Sequence, residues 1–84
     1  MMQVLYFASI REQLGLEAEQ VELNAATRNV RALIEYLCTI HDERWSKALS
    51  DPNLLVSVNQ ELSSLDTVLG GTDEVAFFPP VTGG

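Results

Sequence analysis

Two cysteines are needed for a disulfide, and this chain of 84 residues has one, Cys38. No internal bridge can brace it. Histidine is as scarce: His41 stands alone. With no second His or Cys at ligand spacing, no metal site is expected. Positive charge is also in short supply. Five Lys and Arg face twelve Asp and Glu, a net charge of −7. Nucleic-acid phosphates would repel such a surface, so nucleic acid is not an expected partner. The same charge favours solubility and steers the domain toward a basic protein. No apolar run approaches the roughly 20 residues of a membrane span. The start, Met1-Met2-Gln3-Val4-Leu5-Tyr6-Phe7, lacks the basic stretch and cleavage site of a secretory signal. No membrane association and a cytoplasmic location are therefore expected. A P-loop, a dinucleotide fingerprint and a G-x-S-x-G elbow are all missing, and no nucleophile stands paired with a base.

What is present suits one small globular domain, since 46% of the residues are hydrophobic. Met2 to Ala8 reads as a strand, with Val4, Tyr6 and Ala8 on one face and Gln3, Leu5 and Phe7 on the other, wetter face. Ser9 to Leu16 reads as a connection that includes the turn residue Gly15, and Glu19 to Leu23 as a second strand. Thr27 fits the N-cap of a helix, with no capping box because Val30 stands where the acid would be. Val30, Leu33, Ile34, Leu37 and Ile40 recur at helical spacing and form its apolar stripe. On that helix Cys38 reads as a buried thiol and His41 as a surface residue near the C-terminal dipole. Glu43 to Leu49 suggests a shorter helix packed through Trp45, Ala48 and Leu49, stopped at Asp51-Pro52-Asn53. Leu54 to Val58 is a strand, Asn59-Gln60 a turn, Glu61 to Leu69 a short strand or turn segment, and Gly70-Gly71 a loop. Glu74 to Phe78 is the last strand. Strands on either side of one main helix predict an α+β fold in which that helix crosses one face of a mixed sheet.

The end of the sequence is Phe77-Phe78-Pro79-Pro80-Val81-Thr82-Gly83-Gly84. Two prolines fix φ, remove two backbone donors and stop the strand. Read as the chain's terminus, Gly84 offers a carboxylate on a slim tail, and Val81 to Gly84 could reach roughly 13 Å beyond the domain. Without Cβ atoms, a diglycine passes a channel too narrow for side chains. That is the form a carboxylate needs if another enzyme is to activate it.

Several blocks together carry a resemblance to a known family. Leu5-Tyr6-Phe7-Ala8, then Arg11-Glu12 and Leu14-Gly15, match its first strand and turn. Val58-Asn59-Gln60 matches a strand end. Asp73-Glu74-Val75-Ala76-Phe77-Phe78-Pro79-Pro80-Val81 with Gly83-Gly84 matches its most specific signature. The chain resembles the small subunit of molybdopterin synthase, the MoaD family of ubiquitin-like β-grasp sulfur carriers. One departure is Gly70-Gly71-Thr72, where the family commonly has Asp-Gly, which puts the local turn in question. The resemblance implies a β-grasp domain over residues 1–80, with about five strands, one main helix and a short second helix, and a flexible tail over 81–84.

The resemblance also implies a function. A separate E1-like enzyme would adenylate Gly84 with ATP, and sulfur from a donor protein would replace the adenylate to give a thiocarboxylate. The tail would enter the large synthase subunit, as part of a heterotetramer, and pass its sulfur to cyclic pyranopterin monophosphate. The chain would be a co-substrate with no stably bound cofactor, and the catalytic groups would lie on its partners. Its site residues would be Gly84, supported by Gly83. The partner surface would comprise Phe7, Leu62 and Phe78, with Pro79, Pro80, Val81 and Thr82 leading into the partner. In a β-grasp sheet the first and last strands lie side by side, which would set Phe7 beside Phe78 with Leu62 joining them. Three other readings share parts of this evidence: a sulfur carrier for thiamine or another pathway, a ubiquitin-like modifier of proteins, and a binding module with an idle tail.

Overall fold

The structure is a computed structural model, and residues 1–80 are described. The elements in chain order are β1 (Met2–Tyr6), α1 (Ala8–Leu14), β2 (Ala18–Val21), a 3₁₀ turn (Ala25–Thr27), α2 (Val30–Ile40), α3 (Glu43–Leu49), β3 (Leu55–Val58), β4 (Glu61–Ser63) and β5 (Glu74–Phe78). The five strands form one mixed sheet in the order β2-β1-β5-β3-β4. β1 and β5 run parallel at its centre, and the other pairings are antiparallel. The expected α+β architecture with five strands is what forms.

Alternation along the strands divides the sheet into a dry face and an open one. Met2, Val4, Tyr6, Val56, Val75 and Phe77 are buried and meet Val30, Leu33 and Leu37 of α2, with Trp45 and Leu49 of α3. Fully burying a side chain such as Phe77 is worth about 1.5–3 kcal/mol. The stripe on α2 is shorter than its spacing suggests: Ile34 packs against the core from its edge, and Ile40 is 48% exposed. Ile40 is the last residue of the helix, and the chain turns away after it. Cys38 is half-buried, packed against the core margin and not inside it.

The largest departure from the sequence reading is the segment Ser9 to Leu16. It holds a helix, α1, where a connection was expected. Ile10 and Leu14, one turn apart, bury its inner face, and Gly15 closes it with φ 66°. The helix is seven residues long and Phe7 at its N-cap makes no side-chain cap bond, so the usual start signal is missing. β1 consequently stops at Tyr6. Ala8 turns the chain with φ 52°, a left-handed conformation disfavoured for a residue with a Cβ. β2 ends at Val21, leaving Leu23 outside it and 36% exposed.

Helix capping also differs. Asn29 caps α2, its side chain accepting from the Ala32 amide at 2.8 Å. Thr27 belongs to the preceding 3₁₀ turn, where it and Asn24 form a reciprocal capping box. Its hydroxyl accepts from the Asn24 amide at 2.9 Å and donates to the Glu22 carbonyl at 2.8 Å. A polar side chain with no exposed surface is thereby satisfied.

A polar and aromatic cluster ties α2 and α3 to the sheet. The Trp45 indole N–H donates to the Tyr6 hydroxyl at 3.1 Å. Tyr6 must then spend its own proton on Glu19 Oε2, 2.7 Å away. Burial first, and the Glu19 bond second, hold the Tyr6 phenol well above its ordinary pKa. His41 is not on the open surface: its Nε2 lies 2.9 and 3.0 Å from the two Glu19 oxygens and its ring stacks on Trp45 at 3.9 Å. Tyr6→Phe would strip Trp45 of its acceptor and Glu19 of a donor. We expect it to lower stability by about 1–3 kcal/mol, read as a shift of the urea midpoint with unchanged m-value.

At the other end of the sheet a second polar knot sets the register. Asn59 and Gln60 form the two-residue β3–β4 turn with φ 52° and 69°, as expected for a hairpin. The Asn59 side-chain amide donates to Asp73 Oδ1 at 2.9 Å, and its oxygen accepts from the Glu74 amide at 3.0 Å. Asp73 Oδ2 accepts from the Gly70 amide at 2.6 Å, which closes the loop whose sequence departs from the family. The Asn59 bond above all, and the Gly70 amide second, hold the Asp73 carboxyl below its ordinary value of 3.8. A depressed carboxylate contributes stability above its unfolded pKa and loses it as pH falls through the folded value. Asp73→Asn should therefore lower the denaturation midpoint at neutral pH, and the gap to wild type should close progressively below about pH 5.

Candidate functional site

The sheet positions the end of β5. Phe77 pairs with Tyr6 on one side and Val56 on the other, and Phe78 pairs with Leu55. The Phe7 amide then donates to the Phe77 carbonyl at 3.1 Å, one step past the end of β1. β5 thus delivers Pro79 and Pro80 from the middle of the sheet, between the end of β1 and the start of β3. Both prolines are partly exposed.

On the open face beside this exit, the Phe7 and Phe78 rings stack with centroids 4.8 Å apart and planes 4° from parallel. Phe7 is 38% exposed and Phe78 is half-buried. The register places Leu55 next to Phe78, and beneath them a row of Leu62, Ser57, Ala76, Leu5 and Ala18 crosses the same face. Ala76 is nearly covered at 3% exposure, so the row is low in the middle. Leu62 rises at its margin with 74% of its surface exposed. It shares the face with the two phenylalanines but does not touch their stack: β3 lies between β4 and β5, which puts it roughly 10 Å across the sheet. Sequence reasoning set Leu5 beside Phe7 on the wetter face but did not count Leu5, Leu55 or Ala76 in the partner surface. Their period-two spacing is readable once the pairing of β1, β5 and β3 is known.

Charge is distributed unevenly. No strand contains Lys or Arg; strand acids are Glu19, Glu61 and Glu74. All five cations lie outside the strands: Arg11 on α1, Arg28 just before α2, Arg31 on α2, and Arg44 and Lys47 on α3. Arg31 pairs with Asp66 and Arg44 with Asp42, both in exposed positions that add little stability. The Arg44 bond holds the Asp42 carboxyl below its usual range. A recess of about 530 Å³ lies against Arg28, Tyr36 and their neighbours on α2, and contains none of the residues named at the tail exit. Among the described residues no cluster of His, Cys, Asp or Glu could hold a metal ion, and no helix is long and apolar enough to cross a membrane. Val81, Thr82, Gly83 and Gly84 lie outside the described residues.

Comparison with known proteins agrees with this arrangement. The ThiS family pattern matches residues 4–84. The chain is 49% identical to the molybdopterin synthase sulfur carrier subunit of Escherichia coli K12 and 45% identical to that of Haemophilus influenzae, each over 84 residues and the whole of both chains. The Mycobacterium tuberculosis protein of the same name is 36% identical, over 96% of this chain and 94% of its own. Among solved structures, SAMP1 from Haloferax volcanii superposes with a TM-score of 0.75 at 26% identity, covering 99% of this chain and 98% of that one. A Pyrococcus furiosus protein described as molybdopterin converting factor, subunit 1, gives 0.72 at 32% identity, covering 95% and 97%. With the β-grasp sheet, the stacked aromatics beside the β5 exit and full-length identity in agreement, the chain belongs to the ThiS family, in its group of molybdopterin synthase sulfur carrier subunits.

Proposed function

We propose that this protein is the sulfur carrier subunit of a molybdopterin synthase, with the Gly84 carboxylate as its chemical centre. The observation that carries the reading is that the family match runs through Gly84 itself, at the end of a chain aligned over its full length with curated carriers. A free carboxylate is a poor electrophile. Attack on ATP by a Gly84 oxygen in an E1-like enzyme gives the acyl adenylate and releases pyrophosphate. A donor sulfur then forms the C–S bond as AMP leaves. The thiocarboxylate sulfur, like a thiolate, is the nucleophile offered to the pterin precursor on the large subunit. The described residues contribute no paired nucleophile and base to these steps. They hold the tail and supply the surface by which partners grip it.

That surface is the open sheet face. An apolar centre of Phe7, Phe78, Leu55 and Leu5 beside a wetter margin has the anatomy of an interface core with a rim. With Glu74 on the open side of β5 and no Lys or Arg in any strand, it fits a large subunit that is apolar at the centre and basic at the rim beside Glu74. Leu62 serves as an outlying contact, and Pro79 to Thr82 lead into the partner's channel.

Removing Gly83-Gly84 tests the reading. The shortened chain should fold with an unchanged denaturation midpoint yet support no molybdopterin formation when supplied with activating enzyme, sulfur donor, large subunit and pterin precursor. Full activity from it would leave the tail idle. Phe78→Asp addresses the surface. A charge in the centre of the patch should weaken binding to the large subunit by about 2 kcal/mol or more, some thirtyfold, with the fold retained. Unchanged affinity in a folded variant would remove Phe78 from the interface.

A further inference from the structure

The open face reaches the start of β3, and a second apolar feature begins at the same point behind the sheet. Leu55 lies on the open face, paired with Phe78. Leu54, one residue earlier, packs against the margin of the core. There it joins Ile34 of α2, Leu49 at the end of α3, Pro52 and Leu65 in lining a groove of about 270 Å³. Main-chain bonds frame the groove. The Leu54 amide donates to the Asp51 carbonyl at 3.0 Å, and the Arg31 amide donates to the Leu65 carbonyl at 2.8 Å. Leu49 is buried, Ile34 and Leu54 are half-buried, and Pro52 and Leu65 stand exposed beside them.

Size and charge bear on what the groove can hold. Its volume falls below the roughly 300–1,000 Å³ of small-molecule sites, so it suits one large apolar side chain better than a cofactor. Its charged lining residues are Arg31, Glu35 and Asp51, all exposed. Arg31 is committed to Asp66 at 3.1 Å, whereas among the described residues neither Glu35 nor Asp51 takes part in an ion pair. The rim is therefore acidic. A second copy of this chain, with its net charge of −7, is a poor match for it. A partner that flanks an apolar residue with Lys or Arg is a good one.

We propose that the groove behind Leu54 is an anchor subsite for the large subunit, filled by one large apolar side chain flanked by Lys or Arg. This rests on the carrier reading above, in which the large subunit covers Phe78 and Leu55. A subunit seated there already lies over the start of β3, and Leu54 is the next residue of the chain. The end of the sheet is then gripped from both sides, by Leu55 and Phe78 in front and by Leu54, Ile34 and Leu65 behind. Contact on a single face leaves the domain free to pivot, and the rear anchor fixes the direction in which β5 leaves the sheet.

Binding of the full chain to the large subunit tests this. Leu65→Asp sets a charge beside the groove and should weaken binding about tenfold, with an unchanged urea midpoint. Glu35→Lys removes no apolar contact and should weaken it about threefold, the loss shrinking as salt rises. In the complex the amides of Asp51, Asn53 and Leu65 should exchange hydrogen more slowly than in the free chain. Should Leu65→Asp fail to fold, Glu35→Lys and the exchange measurement decide. Unchanged affinity of the folded variants, protection confined to the open face, or a loss seen with the activating enzyme alone would overturn the proposal. Phe78→Asp measured alongside keeps the two ideas apart. If it weakens binding while the groove variants bind normally, the groove fails and the open face stands. If it too binds normally, the interface reading fails with the groove.

Discussion

Parallel pairing of β1 with β5 is the constraint on which the rest of the molecule depends. It joins an N-terminal strand to the last strand described and puts both in the middle of the sheet. A parallel pair needs a long crossover, and the β2, α2, α3, β3 and β4 segments are that crossover. One register then does two things. It sets Val4 against Val75 and Tyr6 against Phe77 on the dry face, and one residue further on it sets Phe7 beside Phe78 on the open face. A slip by one residue would turn Phe77 out of the core and separate the stack. The Asn59–Asp73 knot pins this register at the end of β5 remote from the tail, while the Tyr6–Trp45–Glu19–His41 cluster fixes the helices over it.

The two faces do different work because their side chains have different partners. Behind the sheet, α2 and α3 cover the apolar residues, and every cation of the chain lies outside the strands. In front, among the described residues no helix covers Phe7, Leu5, Leu55 and Phe78, and Glu74 is the strand acid on that face. An apolar face beside the place where the chain leaves the sheet can grip a partner and aim the tail in one event. This suits a carrier whose own described residues assemble no catalytic pair.

Much of this was legible in the residues. Alternation in Glu74-Val75-Ala76-Phe77-Phe78 marked β5, helical spacing from Val30 marked α2, and Trp45 with Ala48 and Leu49 marked α3. The Phe7–Phe78 neighbourhood followed from the fold that the resemblance implied. α1 was not legible, because a seven-residue helix without a side-chain cap carries little local signal and is held by burying Ile10 and Leu14. The cap of α2 moved from Thr27 to Asn29 because two plausible caps stood two residues apart and a 3₁₀ turn claimed the first. His41 could not be placed from its helix alone, since its partner Glu19 lies 22 residues away on β2. At the site, Leu62 was expected to join Phe7 and Phe78; it lies on their face but two strands away from Phe78, a separation that strand order decides.

The central claim is chemical: sulfur travels on the carbonyl of Gly84. Its most direct test is intact-mass and fragment-ion analysis of the protein isolated from its own cells. The account predicts a fraction of molecules heavier by the exchange of one oxygen for sulfur, with the added mass confined to the fragment ending in Gly84 and removed by hydrolysis. Sulfur found only on Cys38, or no sulfur-bearing form in cells actively making molybdopterin, would contradict it.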